Sequence, residues 1–342
     1  MTAIELRTDV DGAAWDAFVA ARPAGTFYQR FGWSRVIAET FGHRPRYLAA
    51  LRGGSIAGVL PLTEVRSRLF GNALISTAFC VGGGPLADDA DVLRALVERA
   101  RALGAELGVD YIELRDAPPL ENWVARAGVY AGFERGIAAD EAECLKQIPR
   151  KQRAVVRKAL ENAELSFTLD DDASHFYRLH ARTFRNHGTP VYPRRLFDKI
   201  LEVFGRDCDV LTVWRGKEPV SSVMSYYVGA RVTPYFTGSV AVARALGSND
   251  LMYWRLMRHA VGRGCTSFDF GRSKVGSGPF AFKKNWGFEP RAITNYLALV
   301  NGRALPNVSP TNPKFSLAIK AWRAMPVPVA TFVSLFISRD LA

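Results

Sequence analysis

Hydrophobic and polar positions alternate along this chain with two periods, and the switches between them outline the elements. Residues 4–7 alternate with period two and predict a short strand. After Asp9 and Asp11, the residues Trp15, Phe18 and Val19 fall at helical spacing, and a second helix is expected through Val36 and Ile37, beyond Phe27, Tyr28 and Phe31. Residues 47–52 and 56–65 read as strands joined across Gly53-Gly54, a hairpin signal, with a third strand over 69–77. The triplet Gly82-Gly83-Gly84 then leads to a helix over 90–107 and a strand at 111–115. Strand, glycine turn, helix and strand form an α/β unit, in which ligands usually sit at the strand end. The triplet lacks the spacing of a dinucleotide or Walker A loop, so it is a turn, with or without a pocket beside it. A helix near Trp123 and a strand at 133–137 follow, and the segment ADEAECLKQIP places a domain boundary at about residue 140.

The second half opens on a basic stretch. Lys146, Arg150, Lys151, Arg153, Arg157 and Lys158 supply six positive charges in thirteen residues, while positions 148, 155, 156, 159 and 160 keep an apolar stripe. That pattern predicts an amphipathic helix with a basic face, either solvated or set against a polyanion. A further basic helix carries His175, His180, Arg182, Arg185 and His187, and it ends in the rigid turn HGTPVYP. Antiparallel strands are expected at 210–215, 220–228 and 232–237. A helix over 250–261 follows, capped by Ser248 or Asn249, with Leu251, Trp254, Met257 and Val261 on one face. Strands at 265–270 and 293–300 complete the reading.

Composition narrows the class. The chain has 342 residues, is 48% hydrophobic and 23% charged, and carries a formal charge of +12, which suits a two-domain globular protein with anionic partners. Cys80, Cys144, Cys208 and Cys265 stand far apart without a CxxC, which argues against structural zinc or a disulfide framework. No signal peptide is expected from the first residues, and no apolar run reaches the roughly 18 residues of a spanning helix. The expected location is therefore cytoplasmic. The apolar stretch AWRAMPVPVATFVSLFISRDLA either closes a hydrophobic groove or lies on a partner or the inner membrane face.

The stretch from 266 to 290, TSFDFGRSKVGSGPFAFKKNWGFEP, carries the densest candidate chemistry. A strand with Phe268 and Phe270 on one face leads into a Gly/Ser loop framed by Arg272 and Lys274, and then an aromatic run holds Lys283 and Lys284. Exposed amides and four cations suit a phosphate or carboxylate; a solvated turn is the alternative. Ser221 and Ser222 lack a nucleophile elbow, and His180 and His187 lie seven residues apart with no carboxylate between them. Neither a serine nucleophile nor a metal site is expected.

Together with IPRKQRAVVRKA, RNHGTPVYP and LMYWRLMRHAVGRG, this stretch resembles the FemAB-like branch of the GNAT superfamily, and most nearly the FemAB-family proteins associated with the XrtA/PEP-CTERM system of exopolysaccharide-secreting bacteria. The similarity spans nearly the whole chain and is specific at 146–192 and 266–290. It implies an α/β (α+β) fold of tandem GNAT-like domains, 1–140 and 141–342, each a mixed splayed sheet flanked by helices. It also implies acyl or aminoacyl transfer to an amine of a cell-envelope or exopolysaccharide precursor. The donor would be acyl-CoA, acyl carrier protein or aminoacyl-tRNA, with no tightly bound cofactor, and the acceptor an anionic small molecule or lipid-linked glycan; DNA is not an expected partner. The long coiled-coil arm of the founding Fem enzymes has no counterpart here. Lys283 matches the lysine that helps those enzymes bind precursor phosphates near the transfer site, and Asp269 is a candidate base or an orienting partner for Arg272. The substrate-binding set is Arg153, Arg157, Arg185, His187, Tyr192, Tyr226, Arg272, Lys274 and Lys284, lining a basic groove between the domains. The acyl-CoA loop of GNAT enzymes is matched incompletely by Arg244-Ala-Leu-Gly247-Ser248-Asn249. A non-catalytic binding protein for an anionic glycan carrier or membrane surface is the second reading.

Overall fold

The carboxylate of Asp89 accepts the amide N–H groups of Asp91 and Val92 and so starts the helix Ala90–Leu107, which Gly108 ends in the left-handed region at φ 62°. Val92, Leu96, Val97, Ala100 and Leu103 recur on one face of that helix and pack with Leu48, Leu60, Leu74 and Ile112. This core belongs to the first of two units in the computed structural model, which describes residues 3–67, 71–301 and 316–341. The first unit comprises Met1–Gly128, Ile293–Asn312 and Arg339–Ala342; the second, Val129–Ala292 and Pro313–Ser338.

The first unit has two sheets. Strands Ile4–Arg7, Leu48–Arg52, Ser55–Leu60 and Leu86–Ala87 form one, all antiparallel. In the other, the order is Arg44–Pro45, Leu62–Ser67, Gly71–Ser76, Tyr111–Leu114, Asn295–Leu299 and Val124–Arg126. Its one parallel pair, Gly71–Ser76 with Tyr111–Leu114, is joined through the Ala90–Leu107 helix. Residues 56–65, expected as one strand, are divided at Pro61, whose neighbours belong to different sheets. Residues 69 and 70 of the expected third strand lie outside the described residues. Around Trp123 there is no helix: Val124–Arg126 is instead a strand that pairs with Asn295–Leu299.

The second unit is built on seven strands, in the order Leu165–Asp170, Cys208–Arg215, Glu218–Val228, Arg231–Ser239, Ser267–Lys274, Tyr130–Gly136 and Pro290–Ala292. Its core includes Phe133, Val156, Val223, Trp254, Phe268 and Trp286. The division falls at residues 128 and 129 rather than near 140, because Tyr130–Gly136 pairs with Ser267–Lys274 on one side and Pro290–Ala292 on the other. The chain then leaves this unit. Asn295–Leu299 pairs with Tyr111–Leu114 in the first unit instead of closing the second domain. All four cysteines are buried free thiols, and no helix of the described residues is long and apolar enough to cross a membrane.

Candidate functional site

The strand Ser267–Lys274 breaks its own alternation. Phe268 and Phe270 are buried, yet the next buried side chain is Ser273, five residues on from Phe268, and not Arg272, where alternation would place it. The switch is a β-bulge: Asp269 pairs with Glu134 and Arg272 with Gly132, so Phe270 and Gly271 together face Phe133 alone. Gly271 makes the bulge possible at φ 65°, a conformation that costs a side-chain-bearing residue. What the sequence presents as a loop after Phe270 is thus a strand continuing to Lys274 through a change of face. Ser277 then accepts the N–H of Phe280 at 3.3 Å and, with Pro279 in the first turn, starts the helix Gly278–Asn285. Gly287, at φ 80°, stops it.

Two charged side chains clamp the glycine of the bulge. The carboxylate Oδ1 of Asp269 accepts the Gly271 N–H at 2.8 Å, while Lys283 Nζ donates to the carbonyls of Gly271 at 3.2 Å and Arg272 at 2.9 Å. Lys283 is only 8% exposed, and its ammonium lies 5.5 Å from the Phe133 ring centroid and 5.9 Å from that of Phe270. Burial pulls its pKa down to about 8, with Asp269 opposing and Arg272 assisting. For Asp269, burial pushes the carboxyl up to about 6. The Gly271 amide opposes that rise, the facing Glu134 adds to it, and Arg231 and Lys283 oppose it. Asp269 and Lys283 thus hold the successive peptide groups that flank Gly271, the carboxylate on the N–H side and the ammonium on the carbonyl side. The second oxygen of Asp269 takes no protein hydrogen bond among the described residues.

Beside the bulge the sheet opens. Arg231–Ser239 and Ser267–Lys274 run parallel but pair only at Arg231 with Ser267 and Val232 with Phe268; beyond those residues no further pairing joins them. The helix Ser248–Gly262 is the crossover between them, and Tyr253 reaches into the gap from it. The Tyr253 ring meets Phe270 edge to face at 4.7 Å, and its hydroxyl hydrogen-bonds the Thr237 side chain. Burial, with the Asp250 charge, holds that phenol well above its ordinary pKa, so it keeps its proton. Asp250 on the same helix is buried among neutral donors, the Gln152 amide and the Trp286 indole N–H at 3.1 Å, and burial raises it to about 6 despite them. Sequence reading missed Tyr253 and Asp250. Tyr253 lies one position before Trp254, off the apolar stripe, and an acid in a first helical turn looks like ordinary dipole compensation.

The other expected residues divide. Arg272 is exposed and stacks its guanidinium over Tyr130 at 4.2 Å; Asp269 does not orient it, because its carboxylate is turned to Gly271. Lys274 and Lys284 are exposed on the same strand and helix. Lys283, expected to face a groove, spends two of its three N–H donors on backbone carbonyls. Arg157 is exposed on the helix Arg150–Leu160, where Arg150, Arg153, Ala154, Arg157, Lys158 and Glu161 line a groove. Arg153 is partly committed there, donating to the carbonyls of Ile148 at 3.1 Å and Lys146 at 3.3 Å. Arg185 and His187 contact the helix Ser316–Ala324: Arg185 donates to the Arg323 carbonyl at 3.0 Å, and the His187 backbone carbonyl accepts from Arg323 at 3.3 Å. Tyr192 is partly buried and its carbonyl accepts from Tyr177 at 3.3 Å. Tyr226 is fully buried, so it is core; Tyr235, its ring 5.4 Å away, is the accessible one.

At the expected acyl-CoA loop, a short helix Ala243–Leu246 precedes Gly247, which is itself the cap residue of the next helix at φ 68°. Ser248 is buried, with its hydroxyl donating to the Ala243 carbonyl at 3.3 Å, and a Cβ at Gly247 would meet Ala159 at 3.1 Å. These two residues are therefore turned into the protein, while Arg244 is exposed and Asn249 partly so. Among the described residues no His, Cys, Asp and Glu side chains group as metal ligands would.

A sheet whose parallel pair parts after two residues, with its crossover helix over the gap, defines a GNAT-type fold; the chain as a whole is an α/β fold of mixed sheets flanked by helices, consistent with tandem GNAT-like domains. Residues 147–284 match the family model described as an acetyltransferase (GNAT) domain. Among solved structures, the chain is similar to FemX, at 17% identity over 85% of this chain and 96% of that one, with a TM-score of 0.69. It is also similar to a tandem GNAT protein from the clavulanic acid biosynthesis pathway, at 13% identity over 88% and 100%, TM-score 0.53. A third is a conserved protein of unknown function from Bacteroides thetaiotaomicron, at 10% identity over 87% and 99%, TM-score 0.54. No curated protein sequence matches. At such identities the structural likeness is one of fold. The match of residues 147–284 to an acetyltransferase (GNAT) domain supports acyltransferase activity.

Proposed function

We propose that this protein transfers an acyl or aminoacyl group to an amine of a cell-envelope or exopolysaccharide precursor, by direct attack without a covalent enzyme intermediate. The observation that carries the reading is the clamped bulge: Asp269 and Lys283 hold Gly271 beside the place where the parallel strands part, inside the GNAT-matched residues. The donor's acyl arm lies in the gap, where backbone groups without ladder partners can hold an extended chain. The amine attacks the acyl carbonyl, and its proton passes to Asp269, whose free oxygen and pKa of about 6 suit a base at neutral pH. The third N–H of Lys283 offsets the oxyanion, or a precursor phosphate, without reorganising. Tyr253, kept protonated, donates to the departing group. Arg272, Lys274 and Lys284 attract the anionic precursor; for an acyl-CoA donor, Arg244 and Asn249 are the accessible residues of the turn.

The test is mass-spectrometric detection of the acylated amine, with purified protein, a panel of acyl-CoA, acyl carrier protein and aminoacyl-tRNA donors, and amino-sugar or peptide acceptors. Product formation abolished in Asp269→Asn supports the reading. Saturable binding of a glycan carrier without turnover by any donor would favour the binding-protein reading, for which the exposed cations of Arg150–Leu160 speak. An undiminished rate in Lys283→Glu, shown to be folded, would remove Lys283 from the mechanism.

A further inference from the structure

The C-terminal helix Val327–Ile337 is docked by its small residues and leaves its large ones outside. Ala330 and Ser334 are buried against the second unit, where Ser334 Oγ accepts the Val191 N–H at 2.9 Å and donates to the Ala330 carbonyl at 2.7 Å. On the other side Phe332 is 62% and Phe336 65% exposed, with Val329 and Leu335 beside them near half exposure. Positions 329, 332 and 336 follow helical spacing, and the two phenylalanine rings meet edge to face at 5.4 Å, so the four side chains form one patch.

Charge decides what covers this patch. Residues 316–338 carry Lys320 and Arg323 and no acid, and 324–338 carry no charge at all. Both cations are exposed. An isologous pairing of two copies would bring like charges together around the apolar centre, whereas an anionic surface complements them. Eleven residues of helix reach only about 16 Å, roughly half a hydrocarbon core, so the element can lie in a bilayer surface but not cross it. We propose that Val327–Ile337 is a membrane-docking helix for anionic phospholipid bilayers, with Phe332 and Phe336 at the headgroup–acyl boundary and the flanking cations at the lipid phosphates. This inference uses none of the acyl-transfer residues, and its failure leaves that reading intact.

The experiment uses the full chain with vesicles of phosphatidylcholine, with and without phosphatidylglycerol. Co-sedimentation is expected with the anionic vesicles, and the exposed double substitution Phe332→Ser/Phe336→Ser is expected to weaken it about tenfold or more with an unchanged circular dichroism spectrum. Because the four native cysteines are buried, Phe336→Cys can be labelled selectively with a polarity-sensitive fluorophore, whose emission is expected to shift to the blue on anionic vesicles. Lys320→Glu is expected to weaken binding and reduce its salt dependence. Failure of the parent to pellet, or pelleting of the double variant like the parent, would overturn the proposal. So would a label that stays in water on bound vesicles, or a dimer in sedimentation velocity that the double variant abolishes.

Discussion

The two units treat a buried carboxylate in opposite ways. In the first, Glu64 is 2% exposed and held by Arg46 at 2.8 Å and Arg66 at 2.7 Å. Burial alone would raise its pKa, but the hydrogen bonds and charges of the two guanidinium groups reverse that and lower it. In the second, Asp250 and Asp269 are answered by amides and an indole, not by arginine, and both rise to about 6. Closed ion pairs make Glu64 a structural part, chemically silent at neutral pH. The second unit pairs other carboxylates with arginine, as at Asp209 with Arg263, but leaves Asp250 and Asp269 without an ion pair, at a cost in stability, and so keeps these two able to exchange protons.

The sharpest way to break this contrast is Asp269→Asn, which should lower transfer about 100-fold or more while leaving the fold intact. Its stability should move the other way. The folded pKa stands above the ordinary 3.8, so Asp269 costs stability as pH rises from there through about 6, and the asparagine variant should melt no lower than the parent at neutral pH. Next comes the pH profile of kcat/KM. It should rise through about 6 as Asp269 loses its proton and fall through about 8 as Lys283 does, and Lys283→Met should erase the upper limb. For Lys283 the folded value lies below the ordinary 10.5, so its charge is held at a cost below about 8 that disappears at higher pH. An unchanged upper limb in the methionine variant would show that another group titrates there.

In the first unit the sign reverses. Glu64→Gln should destabilise by about 2 kcal/mol in urea titrations at pH 7 without altering the kinetic pH profile. The Glu64 contribution is present above its ordinary 4.5 and is lost as pH falls through its lower folded value, so the variant and parent should converge in strong acid. Gly271→Ala should cost about 1 to 2 kcal/mol through its left-handed backbone alone, since no atom lies within 4 Å of the added Cβ. The smallest effect is expected at the exposed Arg157→Ala, within about 0.5 kcal/mol in stability, with any change confined to KM and its salt dependence.

Local signals in this chain were readable where they were self-contained. The helix Ala90–Leu107 carries its own cap, stripe and stop, and its bounds agree with the periodicity. Within 266–290, the resemblance singled out Lys283 and residue type singled out Asp269 as candidates; the roles given to them above remain proposals, to be tested by the variants just described. Less legible was anything decided by a distant partner. Val124–Arg126 is a strand because Asn295–Leu299 lies beside it, and that strand in turn belongs to the first unit because Tyr111–Leu114 offers the other edge. Tyr226 and Tyr235 look alike in an alternating pattern, yet only Tyr226 is enclosed.

The sequence by itself determined the two periodicities, the basic character and the placement of Asp269, Gly271 and Lys283 within one short stretch, whereas the cap expected at Ser248 or Asn249 falls at Gly247. Only the tertiary structure decided that Phe270 and Gly271 share one partner in Phe133, that the parallel strands part after two pairs, and that Lys283 is buried while Lys284 is not. The reason is physical. Helix propensity and capping act within a few residues, whereas strand register, desolvation and the pKa values that follow depend on which remote segments pack around a group.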